Sequence, residues 1–176
     1  IFMAVCIIGA ATAPNFLTLF NFKTIIRDAA IVGIMAIGLT FVTLSGNFFL
    51  LSMKETAALA IIAFATCMAA GLGFPISFLV TMAIATLAGA IQGVLIGLGG
   101  NPIVVTLGAA GLFFGIGSWW SDNLVVSFRR PHGAEWLGSG STFGLPNITI
   151  AFVVIAIIAE LVLRKTSFGR QVYLIG

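Results

Sequence analysis

The segment GAIQGVLIGLGGNPIVVTLGAAG, residues 89–111, consists of two apolar runs joined by a tight polar break. Gly89, Gly93 and Gly97 recur at every fourth position, so on a helix they form one stripe nearly free of side chains. In lipid such a stripe lets a second backbone approach closely, because packing rather than the hydrophobic effect drives helix association there. Gln92 lies beside the stripe in an otherwise apolar run. The run stops at Gly99-Gly100-Asn101-Pro102, which permits a sharp turn and cannot continue a helix. A second run follows at once over 103–120, with Gly108, Gly111 and Gly115 as its own small face. Two helices able to pack this closely, with isolated amides between them, suggest the inner wall of a path through a membrane.

Composition sets the same frame for the whole chain. Of its 176 residues, 60% are hydrophobic and 7% charged, and the mean hydropathy is +1.21. A soluble domain carries roughly 25% charged residues, so this chain lacks the polar side chains to cover a water-soluble globule. It reads as an all-α integral membrane protein. The net charge of +3 carries no nucleic-acid signature, since the bases neither gather on one helix nor alternate with stacking aromatics. Cys6 and Cys67 sit in apolar runs and read as small buried hydrophobes, not as a disulfide or metal site. There is no phosphate-binding G-x-x-x-x-G-K-[ST] loop, so the chain does not bind ATP in that way. One histidine and five acids, none spaced for a metal or for acid–base work, point away from an enzyme.

From the N-terminus, residues 1–13 form an apolar run closed by Pro14-Asn15, short for a span of about 20 residues. It reads as a truncated first span, and the chain as the N-terminal part of a longer one. Residues 15–27 are amphipathic and are expected to lie at the interface before a second span over 29–44. Ser45-Gly46-Asn47 breaks that helix, and Phe48 and Phe49 hold the break at membrane depth or at its edge. Irregular backbone survives there only if protein buries it or it lines a cavity. Ser52 with Glu55 three residues later predicts a capping box, and Lys54 beside Glu55 a local ion pair. Further spans follow over 53–70, 76–98, 103–120 and 147–163, giving about six in all. Trp119-Trp120 marks a membrane boundary, and 122–146 is expected to be an external loop with little regular structure. Arg164, Lys165 and Arg170 form the densest basic cluster, which the positive-inside rule places in the cytoplasm.

Several residues admit two readings. Glu160 suits an intramembrane proton or cation site, but Arg164 lies four positions on, and a pair between them is the favoured reading one turn from the boundary. Gln92 and Asn101 suit hydrogen bonding to an uncharged, hydroxyl-rich solute or, equally, to another helix. Phe48, Phe49, Phe113 and Phe114 suit a stacking platform or a gate, although plain packing is the commoner use. The glycine stripes, Gly89, Gly93, Gly97, Gly111 and Gly115, argue for a multi-helix bundle more than for a path. His132 is a lone histidine in the polar loop, and the sequon at Asn147-Ile148-Thr149 is discounted as a chance match.

In this order the features resemble the permease subunit of bacterial ABC sugar importers of the ribose/branched-chain type. Four segments carry the resemblance. The first is Gly38-Leu39-Thr40-Phe41-Val42, then a Ser-Gly break and Leu51-Ser52. The second is Gly89-x-x-x-Gly93-Val94-Leu95-Ile96. The third is Asn101-Pro102-Ile103-Val104-Val105-Thr106-Leu107-Gly108. The fourth and most specific is residues 163–176, LRKTSFGRQVYLIG. Where the family has Gly-Ile-Asp-Leu-Ser-Val-Gly, this chain has GNFFLLSMK at 46–54, without the Asp.

The resemblance implies a polytopic bundle of about ten helices in the complete protein and a multi-pass place in the bacterial inner membrane. It further implies two ATP-binding cassette ATPase subunits, a second permease subunit that is identical or related, and a periplasmic substrate-binding protein. ATP and magnesium would then sit on the ATPase, leaving no cofactor and no metal in this chain. Residues 164–176 would begin the cytoplasmic loop that couples to the ATPase, with Phe168, Gly169, Arg170 and Tyr173 as contacts. Asn47, Phe48, Phe49, Gln92 and Asn101 are the candidate lining of the substrate path, for a small sugar or polyol moved by alternating access. The alternatives are an ion-coupled secondary transporter or channel, which needs ionisable groups in the membrane, and a structural membrane subunit with no path.

Overall fold

In a computed structural model of the chain, the residues described are 9, 16, 18–46, 50–127, 134–142 and 144–175. The expected first span over 1–13, the candidate path residues Asn47, Phe48 and Phe49, and His132 lie outside them, Gly9 excepted. The described chain is almost entirely helical and divides into two units.

One unit holds residues 41–134 and 172–176. Its framework is three helices: α2 (Met53–Ala69), α3 (Phe74–Gly97) and α4 (Pro102–Trp120). α2 packs against both of the others. Each helix contributes one side chain to the core, Leu59, Ala88 and Phe113, with Ile84 and Ala109 packed on its edge. Phe113 is therefore a packing residue. Gly117 of α4 lies under Ile62 of α2, whose Cδ1 would stand 3.2 Å from an added Cβ.

The α3–α4 corner follows from its four residues. Gly99 has φ +97, a left-handed conformation that closes the helix and that glycine adopts without strain. Gly100 donates its N–H to the Leu95 carbonyl at 3.0 Å. A Cβ there would meet that same oxygen at 2.7 Å and Val105 Cγ2 at 2.9 Å. Asn101 then starts α4, its Oδ1 accepting from the N–H groups of Ile103 at 3.0 Å and Val104 at 3.4 Å, with Pro102 in the first turn. Asn101→Ala is expected to lower stability by about 1 kcal/mol through loss of this cap, a shift of a few degrees in thermal unfolding of the detergent-solubilised protein; an unchanged midpoint would contradict it.

The other unit holds residues 1–40 and 135–171. It contains most of α1 (Leu19–Leu44), a short helix α5 (Ala134–Gly138), the two-residue strands β1 (Ser141–Thr142) and β2 (Leu145–Pro146), and α6 (Asn147–Lys165). β1 and β2 form an antiparallel pair. The ring of Phe152 on α6 covers Gly33 on α1, 2.5 Å from where a Cβ would stand. α7 (Ser167–Ile175) follows after one residue, and its last four residues fall in the first unit.

Two expectations change. The amphipathic 15–27 segment is not separate from the second span, because α1 runs unbroken from Leu19 to Leu44. Nothing between 19 and 44 interrupts a helix, and amphipathicity alone does not end one. Ser52 precedes α2 but makes no cap: its side chain bonds elsewhere and its backbone is helical, φ −81 and ψ −4. The 122–146 segment carries only short regular pieces, α5 and the small β pair. Four helices, α1, α3, α4 and α6, are long and apolar enough to cross a membrane. α2, at 17 residues, rises about 26 Å and falls short of a full hydrocarbon core. In the four long helices 6% to 17% of the apolar window is buried, so most of their surface is left for lipid or for other helices.

Candidate functional site

The polar groups of the three-helix unit are concentrated where α2 begins and α3 ends. Ser52 is fully buried and Gln92 is 4% exposed. The Ser52 hydroxyl donates to Gln92 Oε1 across the two helices, and Gln92 Nε2 donates to the Ala88 carbonyl at 3.1 Å. Gln92 thus bonds another helix within this chain. Nearby on α4, Thr106 is also fully buried and donates to Pro102 O at 2.8 Å. Ser77, at the other end of α3, donates to Leu72 O at 3.3 Å. In an apolar surrounding each such polar group must find a partner, and the Gln92 amide N–H, Thr106 and Ser77 find theirs in their own local backbone. Ser52–Gln92 is the exception that ties two elements together. It anchors the residue that follows the 45–51 break to the helix carrying the glycine stripe.

The stripe faces outward. A Cβ placed at Gly89, Gly93, Gly97, Gly111 or Gly115 would meet nothing within 4 Å. The glycines that bring helices of this chain together are instead Gly33 and Gly117, which spacing did not single out. Their signal is tertiary: each lies opposite a large side chain of another helix, Phe152 or Ile62.

The basic end of α6 is ordered by its own residues. Glu160 and Arg164 form an ion pair one turn apart, so the acid is matched locally and is not a lone intramembrane charge. Glu160→Gln is expected to change solute uptake by less than about twofold, since an exposed pair of this spacing contributes only ~0.3–0.5 kcal/mol. A tenfold loss would identify Glu160 as a coupling site. Lys54 and Glu55 also pair, at 3.8 Å. Among the described residues no three His, Cys, Asp or Glu side chains gather as a metal site would need.

Thr166 makes the corner between α6 and α7. Its hydroxyl donates to Val162 O at 2.6 Å and accepts from Gly169 N–H at 3.2 Å, ending one helix and capping the next. Gly169 is buried against the backbone of Leu163. Phe168 and Tyr173 are 55% and 57% exposed, and Arg170 is exposed with Nη2 donating to Ser167 Oγ at 3.1 Å. Of the expected contact set, then, three side chains face outward and Gly169 is the hinge point that holds the helix in place.

Four apolar helices long enough to cross a membrane, followed by a capped basic corner, define a multi-pass membrane protein. The chain belongs to the family described as the branched-chain amino acid transport system / permease component, whose model matches residues 21–176. It is 31% identical over 172 residues to the ribose import permease protein RbsC of Bacillus subtilis, covering 97% of this chain and 53% of that protein. It is 32% identical over 177 residues to the autoinducer 2 import system permease protein LsrD of Escherichia coli O9:H4, covering 94% and 52%. It is 29% identical over 167 residues to LsrC, of the same import system in Salmonella typhimurium, covering 94% and 48%. The chain spans about half the length of these curated relatives. No solved structure matches it.

Proposed function

We propose that this chain is part of the permease subunit of an ATP-driven, binding-protein-dependent importer that moves a small sugar or polyol across the inner membrane by alternating access. The observation that carries the reading is the family match over residues 21–176, a range that includes the α6–α7 corner. Import of ribose and of autoinducer 2 by the named relatives favours a hydroxyl-rich solute over an amino acid. The chain itself is a transport component and not an enzyme. ATP and magnesium are bound by a separate ATPase, a second permease subunit completes the path, and a periplasmic binding protein supplies the solute.

α7 is the ATPase contact in this reading. It follows Arg164 and Lys165 in the last turn of α6, which the positive-inside rule puts in the cytoplasm. Phe168 and Tyr173 offer exposed aromatic anchors and Arg170 a charge, the residue types that dominate protein interfaces. The uncovered stripe of Gly89, Gly93 and Gly97 is the face on which further helices of the complete permease pack. Asn47, Phe48, Phe49, Gln92 and Asn101 remain the path candidates.

Uptake of labelled sugars by cells carrying the complete transport system tests the reading. Uptake is expected to stop when cellular ATP is depleted and to persist when a protonophore collapses the ion gradient. The reverse pattern would identify an ion-coupled transporter.

A further inference from the structure

We propose that Lys23 and Arg27, in the first turns of α1, form a docking site for the phosphate of an anionic phospholipid headgroup. The two bases are four residues apart on one helix, so they lie on the same face one turn from each other. Both are exposed. Among the described residues neither is engaged in an ion pair. Asp28, the acid next in sequence, is rotated about 100° from Arg27 around the helix and so lies off that face.

The surroundings of this pair are those of a membrane surface. Phe20, Phe22 and Ile31 are 80%, 61% and 43% exposed, so apolar side chains that need lipid flank the two charges. α1 has 26 residues and is therefore about 39 Å long, roughly 9 Å more than a hydrocarbon core. All its charges lie in the first ten residues, and none occurs from Ala29 to its end. The surplus covers about the first six residues, so Lys23 lies at the depth of the headgroups, and Arg27, one turn further in, reaches them by extending its long side chain back toward the helix N-terminus. The negative group at that depth is the lipid phosphodiester. Arginine meets it with a planar fork of donors and lysine with a compact charge.

The test uses the complete protein in dodecylmaltoside, with thermal unfolding followed as dioleoyl-phosphatidylglycerol is titrated in. The parent is expected to be stabilised by this lipid and less by dioleoyl-phosphatidylcholine. K23Q and R27Q are each expected to raise the phosphatidylglycerol concentration at half-effect by about fivefold, and the double variant by about thirtyfold. K23R/R27K, which keeps both charges, is expected to match the parent. K165Q, a change in the other basic cluster, should leave the midpoint within about twofold. Half-effects within twofold of the parent for K23Q, R27Q and the double variant alike would overturn the proposal. So would equal stabilisation by phosphatidylcholine, or by inorganic phosphate alone, which would mean a free-anion site. If the double variant cannot be purified, the single variants decide the matter.

Discussion

Gly169→Ala is expected to disrupt the α6–α7 corner and with it any partner docked on α7. A Cβ at this position would run into the carbonyl oxygen of Leu163 and stand 2.5 Å from its carbonyl carbon and 2.6 Å from its Cα. All three atoms are backbone, so no side chain can swing away and the helix itself must shift. Overpacking of this kind costs about 1–3 kcal/mol, and the upper end applies because the corner is also fixed by Thr166 from both sides. Two readouts are expected to move together: the thermal midpoint of the purified protein falls by several degrees, and recovery of a co-purified ATPase drops at least tenfold. Gly138→Ala is the matched control, since a methyl there meets nothing within 4 Å and the residue is exposed on the short helix α5. Equal midpoints for the Gly169 variant and the parent would remove the steric account of the corner.

The second large effect concerns Ser52 and Gln92. Removing one partner leaves a buried polar group without its bond, which costs about 1–3 kcal/mol, whereas removing both can be nearly neutral. Hydrogen bonds between membrane helices average less, about 0.6 kcal/mol, because the unfolded chain in the membrane also finds partners for these groups. Here both side chains are shielded by protein, at 0% and 4% exposure, so the larger penalty applies. Ser52→Ala and Gln92→Leu are each expected to destabilise by about 1–2 kcal/mol, and the double variant by clearly less than the sum. Thermal unfolding of the four proteins measures this coupling. If Gln92 instead contacts solute, Gln92→Leu would raise KM for uptake at unchanged midpoint, and Ser52→Ala would do nothing.

Much of the architecture is local and hence legible in the sequence. The α3–α4 corner is written in Gly99-Gly100-Asn101-Pro102, because a left-handed residue, a cap and a proline act on their immediate neighbours. The Glu160–Arg164 pair is equally local, four positions apart on one helix. What was hidden depends on distant partners. Ser52 has the sequence pattern of a cap, yet its hydroxyl goes to a residue forty positions away, and no spacing rule reports that. The glycine stripe is conspicuous by period, whereas Gly33 and Gly117 matter because of Phe152 and Ile62 opposite them. The interfacial reading of 15–27 recognised real amphipathicity, which persists in α1 as exposed Phe20, Lys23 and Arg27, but it could not tell where the helix begins.

The most direct test of the importer account is affinity purification of the complete tagged protein from mild detergent, followed by an ATPase assay of what comes with it. The account predicts a co-purifying ATPase, lost when Arg170→Glu and Phe168→Ala are combined while the permease itself stays monodisperse. A monodisperse protein that brings no ATPase, yet passes solute into liposomes by itself, would contradict it.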